Sequence, residues 1–373
     1  MKNIGIITNV ITSYREGFLD KLFLRNDINV TIYCQKAIPG MNLKSIHEKY
    51  GDRICIVKNY TVKGEKIGFQ KLPIRNILKQ NDIIFLDGNP RILSNIFMSI
   101  VAAFSKKKFI MWTMGHSYGA NPITESIRLK WTSFFKNIFV YTDEEVNYLR
   151  QKGFNKHNIR GMNNGLDQSK IDFERKKWND DSLIEWCKSK NLFNKRIAVS
   201  IARLTAKNKF EQVIEAMPNI VKKYPDFIWC VIGAGPEEDK LIKLAEKKEV
   251  RENIYFVGAL FQESDIAPYL INADIFIHPA SIGLSLMHAF GYGLPVVVNN
   301  DMFMHGPEYG IFKNGQNGLN FKKDDISDLE NKIFSLLENK DFIKEISVRN
   351  LELVRTKYNV DVMVERFIAM TKI

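Results

Sequence analysis

The stretch His278–Val298, HPASIGLSLMHAFGYGLPVVV, decides how this chain is read. A buried strand ends at His278-Pro279, a loop passes through Gly283, a helix starts near Leu284, and a second apolar run begins after Pro295. Strand, glycine turn, helix, strand is the unit of a doubly wound parallel sheet, and in such sheets ligands sit beyond the carboxyl ends of the strands. The amides of Gly283, Leu284 and Ser285 are therefore expected to form an anion nest. His288 shares a helix face with Leu284 and Ser285, so its imidazole is a candidate for the same site, with a core histidine as the plain alternative.

Working outward, further apolar runs at Arg196–Ile201, Phe227–Ile232 and Ile254–Val257 complete a second-half series, together with Ile275–His278 and Pro295–Val298. The run at 196–201 leads into Arg203, Lys207 and Lys209 before an amphipathic helix, and fixed cations there suit a diphosphate. VIGAGPEEDKL turns at Gly233 and Gly235, which fits a structural turn equally well, and Gly258 ends a strand where a flat base can approach backbone. After the run at 295–298, His305 and Glu308 fall in a loop at the same carboxyl edge.

The first half carries its own series: Gly5–Val10, Val30–Cys34, Ile54–Val57, Ile83–Asp87, Phe109–Met114 and Ile138–Thr142. Helical segments such as Glu16–Leu24 and Ile92–Phe104 separate them, which predicts a second largely parallel sheet. The polar, strandless text from Asp167 to Asn194 is read as the junction, and the tail from Asp324 to Ile373 as consecutive helices. Domain bounds of 1–175, 190–355 and a final helical piece at 356–373, packing on the first domain, follow from this reading.

With 373 residues, 45% hydrophobic and 26% charged, the chain has the makeup of a folded two-domain protein rather than a disordered one. The opening MKNIGIITNVITS suits a strand rather than a signal peptide, and Ile96–Phe104 is far shorter than the ~20 residues of a spanning helix. A cytoplasmic protein is expected. The 4 cysteines are scattered and read as reduced, buried thiols. Lys plus Arg outnumber Asp plus Glu by 54 to 42, so net +12 favours an anionic partner; no nucleic-acid module is present, which leaves a phosphorylated substrate or an anionic membrane. SIRLKWTSFFKNIF sets Arg128, Lys130, Trp131, Phe134, Phe135 and Lys136 on a helix-like stretch suited to such a membrane, or to a buried helix with a basic rim.

Taken in order, these segments resemble the retaining glycosyltransferases of family 4, which have the GT-B fold: two Rossmann-like α/β domains facing a central cleft, with C-terminal helices crossing back. Ala202-Arg203-Leu204 through Glu215-Ala216 matches the family's diphosphate-binding pattern, although the family lysine falls on Asn208 and Lys209 or Lys207 must substitute. Gly233, Gly235, Pro236, Phe256 and Gly258 match the turns near the nucleotide. The two family glutamates, with seven residues between them, are replaced by Ala280 and His288, which makes Glu308 in His-Gly-Pro-Glu the replacement carboxylate.

The resemblance implies that His116 faces the donor sugar, that Arg203 and Lys209 hold the diphosphate, and that Tyr14 and Arg15 lie on the acceptor side. It further implies a UDP- or GDP-linked sugar donor, no cofactor or bound metal, and a glycan or lipid-linked acceptor in capsule or O-antigen assembly. A non-catalytic GT-B subunit and a non-hydrolysing sugar-nucleotide epimerase are the competing readings. Nucleic-acid binding ranks last.

Overall fold

In the computed structural model the described residues are 1–38, 43–62, 67–116 and 122–372. They form two compact units, Met1–Asn164 with Val360–Ile373, and Gly165–Asn359.

The first unit is built on a seven-stranded parallel sheet. Its strands are β1 (Lys2–Ile7), β2 (Ile28–Cys34), β3 (Ile54–Ile56), β4 (Ile83–Asp87), β5 (Lys108–Trp112), β6 (Asn137–Val140) and β7 (Asn158–Gly161), in the order β7-β6-β5-β4-β1-β2-β3. The second unit has a six-stranded parallel sheet of β8 (Arg196–Ile201), β9 (Phe227–Ile232), β10 (Ile254–Gly258), β11 (Ile275–His278), β12 (Val296–Asn299) and β13 (Gly318–Phe321), ordered β10-β9-β8-β11-β12-β13. Two short antiparallel pairs, Ala37–Ile38 with Leu43–Lys44 and Asn59–Val62 with Ile67–Gln70, decorate the first unit.

Continuous apolar text explains the central strands, because a sheet covered by helices on both faces buries every side chain. All six residues of β9 and all four of β11 and β12 are buried. Separate apolar clusters fill the two faces of each sheet. The expected strands at Gly5–Val10 and Phe109–Met114 begin earlier, at Lys2 and Lys108. Strands β7 (NIRG) and β13 (GLNF) escape sequence reading because they are edge strands with few apolar residues to reveal them.

The polar text from Asp167 to Asn194 folds as two helices, Gln168–Lys177 and Asp180–Ser189. Asp167 caps the first by accepting from the Lys170 amide, and Asn179 forms a reciprocal capping box with Ser182. The division between units falls ahead of both helices, at Asn164 and Gly165. A Cβ at Gly165 would come within 2.0 Å of the Tyr358 carbonyl oxygen, so glycine alone fits there.

The helix Val360–Thr371 completes the first unit's core. Phe367 stacks on Phe85 with centroids 4.4 Å apart and meets Phe18 edge-on at 5.9 Å. Burying a side chain of this size stabilises by about 1.5–3 kcal/mol. Arg366 fixes the helix from outside, donating to both Asp143 carboxylate oxygens, at 2.9 and 2.6 Å, and to the Gly161 carbonyl at 2.8 Å.

Among the cysteines, Cys34, Cys187 and Cys230 are buried and Cys55 is half-buried; all are free thiols. Burial pushes Cys34 up to about 11 and Cys230 up to about 12, so both stay protonated. No helix among the described residues is long and apolar enough to cross a membrane.

Candidate functional site

In the second unit the chain runs outward through β8, β9 and β10 and then returns to β11, on the other side of β8. The strand order therefore reverses between β8 and β11, and the loops after these two strands flank the crevice that such a reversal opens. Arg203 follows β8 and His278 ends β11.

Arg203 is exposed, in a loop that glycines hold in place. The Ala202 amide donates to the Ile232 carbonyl at 3.1 Å, Leu204 to Ala234 at 3.1 Å, and Glu237 back to Leu204 at 3.1 Å. A Cβ at Gly233 would meet the Ala202 carbonyl oxygen at 1.8 Å, and one at Gly235 the Leu204 carbonyl oxygen at 2.2 Å. The two glycines thus clamp the backbone that carries Arg203. Asn208, where the resemblance expects a lysine, is buried with its amide on the Arg203 carbonyl, a second brace on the same loop.

The two neighbouring lysines separate. Lys209 adopts a left-handed backbone with φ 54°, and its ammonium pairs with Asp324, which also accepts from Gln212 at 2.6 Å. Lys207 is exposed and lies within electrostatic reach of His278. Burial pushes His278 down to about 3, with His305 and more weakly Lys207 adding to the effect, so the imidazole is neutral at physiological pH.

After β11 the chain passes through Ser281, at φ 61°, to Gly283, which caps the helix Leu284–Gly291. This loop is sewn to the one after β12. Ser281 donates to the Met304 carbonyl at 2.9 Å, Gly306 to that of Ile282 at 2.7 Å, and the Ile282 amide to His305 Nδ1 at 3.2 Å. His305 is itself buried against Tyr309, ring centroids 4.1 Å apart.

The stitching brings Glu308, which is buried, to the glycine turn. Its Oε2 lies 3.5 Å from where a Cβ on Gly283 would stand and 3.1 Å from one on Gly306. Gly283, Leu284 and Ser285 stay half-buried, so their amides remain approachable at the helix N-terminus. Gly258, at φ 84°, has nothing within 4 Å of its missing Cβ, and its carbonyl accepts from Gly233 at 2.8 Å.

His288 is buried and engaged: its Nε2 lies 2.9 Å from Glu263 Oε1, which also accepts the Tyr292 hydroxyl at 2.6 Å. Burial pushes the Glu263 carboxyl up, but the His288 charge and the hydrogen bonds from His288 and Tyr292 outweigh it and hold the group below its ordinary value. Glu263, on the helix Glu263–Ile271, carries no motif that would single it out in sequence.

The first unit has a matching reversal between β1 and β4. There a cavity of about 90 Å³ is lined by Thr8, Tyr14, Arg15, Asp87, Trp112 and Tyr141 among others. Arg15 donates to Asn164 Oδ1 at 2.8 Å and stands over the rings of Tyr14, Trp112 and Tyr141, 5.3 to 5.7 Å from their centroids. The Trp112 Nε1 donor is buried with no hydrogen-bond partner among the described residues. Burial pushes the Asp87 carboxyl up to about 7, against a hydrogen bond from the Asn89 backbone that lowers it.

His116 also lies in the first unit, buried, with Nδ1 3.7 Å from Glu145 Oε1. Glu145 is held by the amides of Gly115 at 2.6 Å and Tyr141 at 2.8 Å. The residues that follow His116, 117–121, lie outside those described.

Comparison with known proteins places these observations in a family context. Residues 185–350 match the model of the family described as "Glycosyl transferases group 1". The alpha-monoglucosyldiacylglycerol synthase of Acholeplasma laidlawii is 24% identical over 165 residues, covering 43% of this chain and 39% of that protein. The O-antigen biosynthesis glycosyltransferase WclY of Escherichia coli is 26% identical over 207 residues, 52% of each. The aligned regions thus span about half of these relatives' lengths or less.

Whole-chain similarity lies in structure. A glycosyltransferase from Rickettsia africae superposes with TM-score 0.74 at 16% identity, covering 100% of this chain and 98% of that one. Anabaena Alr3699/HepE in complex with UDP gives TM-score 0.74 at 14% identity and covers 100% of both. The fold is therefore that of the GT-B glycosyltransferases, with two Rossmann-like parallel-sheet units.

Proposed function

We propose that this protein is a metal-independent, retaining glycosyltransferase of family 4 type, moving a sugar from a UDP- or GDP-linked donor to a glycan or lipid-linked acceptor in capsule or O-antigen assembly. The observation that carries this reading is the strand-order reversal between β8 and β11, with Arg203 in the loop after the first strand and the Gly283 turn, with Glu308 drawn against it, in the loop after the second. Support comes from the family match over the second unit, from the O-antigen transferase among the relatives, and from the UDP held by the Anabaena structure.

Cleaving a glycosidic bond to a diphosphate builds negative charge on the leaving group, and preorganised donors stabilise that charge as it develops. Arg203 supplies a fixed cation, and the Gly283, Leu284 and Ser285 amides supply a helix N-terminus. Lys207 is the second cation of the pair in this proposal, because the Lys209 ammonium already pairs with Asp324. Glu308 takes the sugar hydroxyls in place of the carboxylate absent at Ala280. The base lies against the open face of Gly258, and the Glu263–His288 pair holds the ribose. The departing phosphate accepts the proton of the attacking acceptor hydroxyl on the same face, so no protein base is required. The acceptor enters at the first unit's crevice, near Tyr14, Arg15 and Asp87, and the reaction runs on the cytoplasmic side.

A thermal-shift screen without added metal, against UDP, GDP, CMP and dTDP and their sugar conjugates, tests the reading. A ligand that binds only the folded chain raises its melting temperature. Stabilisation by one base that is lost in Arg203→Ala supports the proposal; no stabilisation by any of them overturns it.

A further inference from the structure

The helix Leu93–Phe104 in the first unit is turned inside out. Its exposed residues Leu93, Ile96, Phe97, Ile100 and Phe104 recur at helical spacing along one stripe, with exposures of 46, 40, 48, 55 and 87%. The residues it buries are Ser94, Asn95 and Met98. Ser94 Oγ accepts the Gln70 amide at 3.1 Å, whereas both polar atoms of the Asn95 side chain are buried without a partner among the described residues. A helix that spends its polar residues on the core leaves its apolar stripe to be covered by something else.

Next to the stripe lies a groove of about 560 Å³, lined by Ile96, Ile100, Phe134, Lys107, Lys108 and Lys136 among others. Phe134 is 76% exposed at its rim. Trp131 fixes the groove's second wall, donating from Nε1 to Ser99 Oγ at 2.9 Å. The charge around it is one-sided. Lys106 and Lys136 are exposed, and Lys107 stands 4.0 Å from Asp82. The Lys108 Nζ is buried with no hydrogen-bond partner among the described residues, and burial lowers its affinity for a proton, with Lys2 adding to the effect.

We infer that this face docks on an anionic phospholipid bilayer. Its apolar stripe enters the boundary between headgroups and acyl chains, while Lys106, Lys107 and Lys136 meet lipid phosphates. The surface overlaps the one the sequence suggests at Trp131, Phe134 and Lys136 but is centred on a different helix. In the stretch from Ser126 to Phe139, Arg128 and Phe135 are buried, and Arg128 is committed to the Gly115 carbonyl at 2.6 Å and to Glu125. The preceding Ile92–Phe104 segment presents the apolar face instead. This inference stands on the first unit alone and does not depend on the proposed donor site.

The test is co-sedimentation of the full chain with vesicles of phosphatidylcholine, with and without phosphatidylglycerol. Two variants accompany it: Phe97→Ser with Ile100→Ser, and Lys106→Glu with Lys136→Glu. Their melting temperatures and nucleotide-induced thermal shifts report an intact fold and an unaltered second unit. Binding should require phosphatidylglycerol, weaken with added salt, and fall roughly tenfold or more in either variant. The inference is overturned by absence of binding to the anionic vesicles, or by unchanged binding of the apolar variant. It is also overturned if light scattering shows a dimer that the apolar variant splits, because the face then belongs to a second copy.

Discussion

The two units share one architecture and differ in what they place at its edge. At its reversal point the second unit offers glycine, amides and a cation: Gly233 and Gly235 clamp the Arg203 loop, and Glu308 is drawn to the turn at Gly283. The first unit offers aromatic rings and a carboxyl group, with Arg15 over Tyr14, Trp112 and Tyr141, and Asp87 in the cavity wall. Small residues let a ligand's phosphates reach backbone, whereas rings and a half-buried carboxyl suit the stacking and hydrogen bonding of a neutral polyol. The same crevice thus serves opposite halves of one proposed reaction, because loop chemistry and not strand order selects the ligand.

That contrast can be broken by substitution. The largest effect is expected for Glu308→Gln, which keeps shape and removes charge. Turnover should fall by on the order of a hundredfold with little change in melting temperature, and unchanged turnover would remove Glu308 from the site. Next, Arg203→Ala should weaken nucleotide binding by roughly ten- to a hundredfold, measured by calorimetry, since a hydrogen bond to a charged group contributes about 1.5–3 kcal/mol.

A smaller difference should separate the lysines. Lys207→Ala is expected to cost roughly fivefold or more in nucleotide affinity, and Lys209→Ala less, because Lys209 is held by Asp324. The reverse order would assign the second cation to Lys209. An effect of another kind, on stability rather than on binding, lies in the first unit. Asp87 titrates near 7 when folded but at about 3.9 when unfolded, so the unfolded chain loses its proton first and this residue penalises folding increasingly as pH rises through that window. Asp87→Asn should melt like the parent near pH 4 and above it from pH 7 upward. A difference independent of pH would show that the carboxyl is not in the buried setting described.

How much of this was legible in sequence depends on whether the partners are neighbours in the chain. β9, β11 and β12 announce themselves because total burial demands unbroken apolar text. Arg203, the Gly283 turn and Glu308 were legible because each lies in the connection that follows a strand. Asp87, Trp112 and Tyr141 end or follow three different strands, and only the sheet order gathers them around Arg15. Glu263 reaches His288 from another helix. The Ile92–Phe104 segment was legible as a helix and as a strongly apolar stretch, but apolar content is silent on which way those side chains turn.

The helix Val360–Thr371 has a consequence for the order of synthesis. It belongs to the first unit's core, yet the entire second unit, Gly165–Asn359, precedes it in the chain. Domains emerging from the ribosome ordinarily fold in sequence, the earlier one first. Here the pocket that Phe367 fills beside Phe85 and Phe18 stays open until the second unit has been made, so the first unit to be translated is the last to be finished.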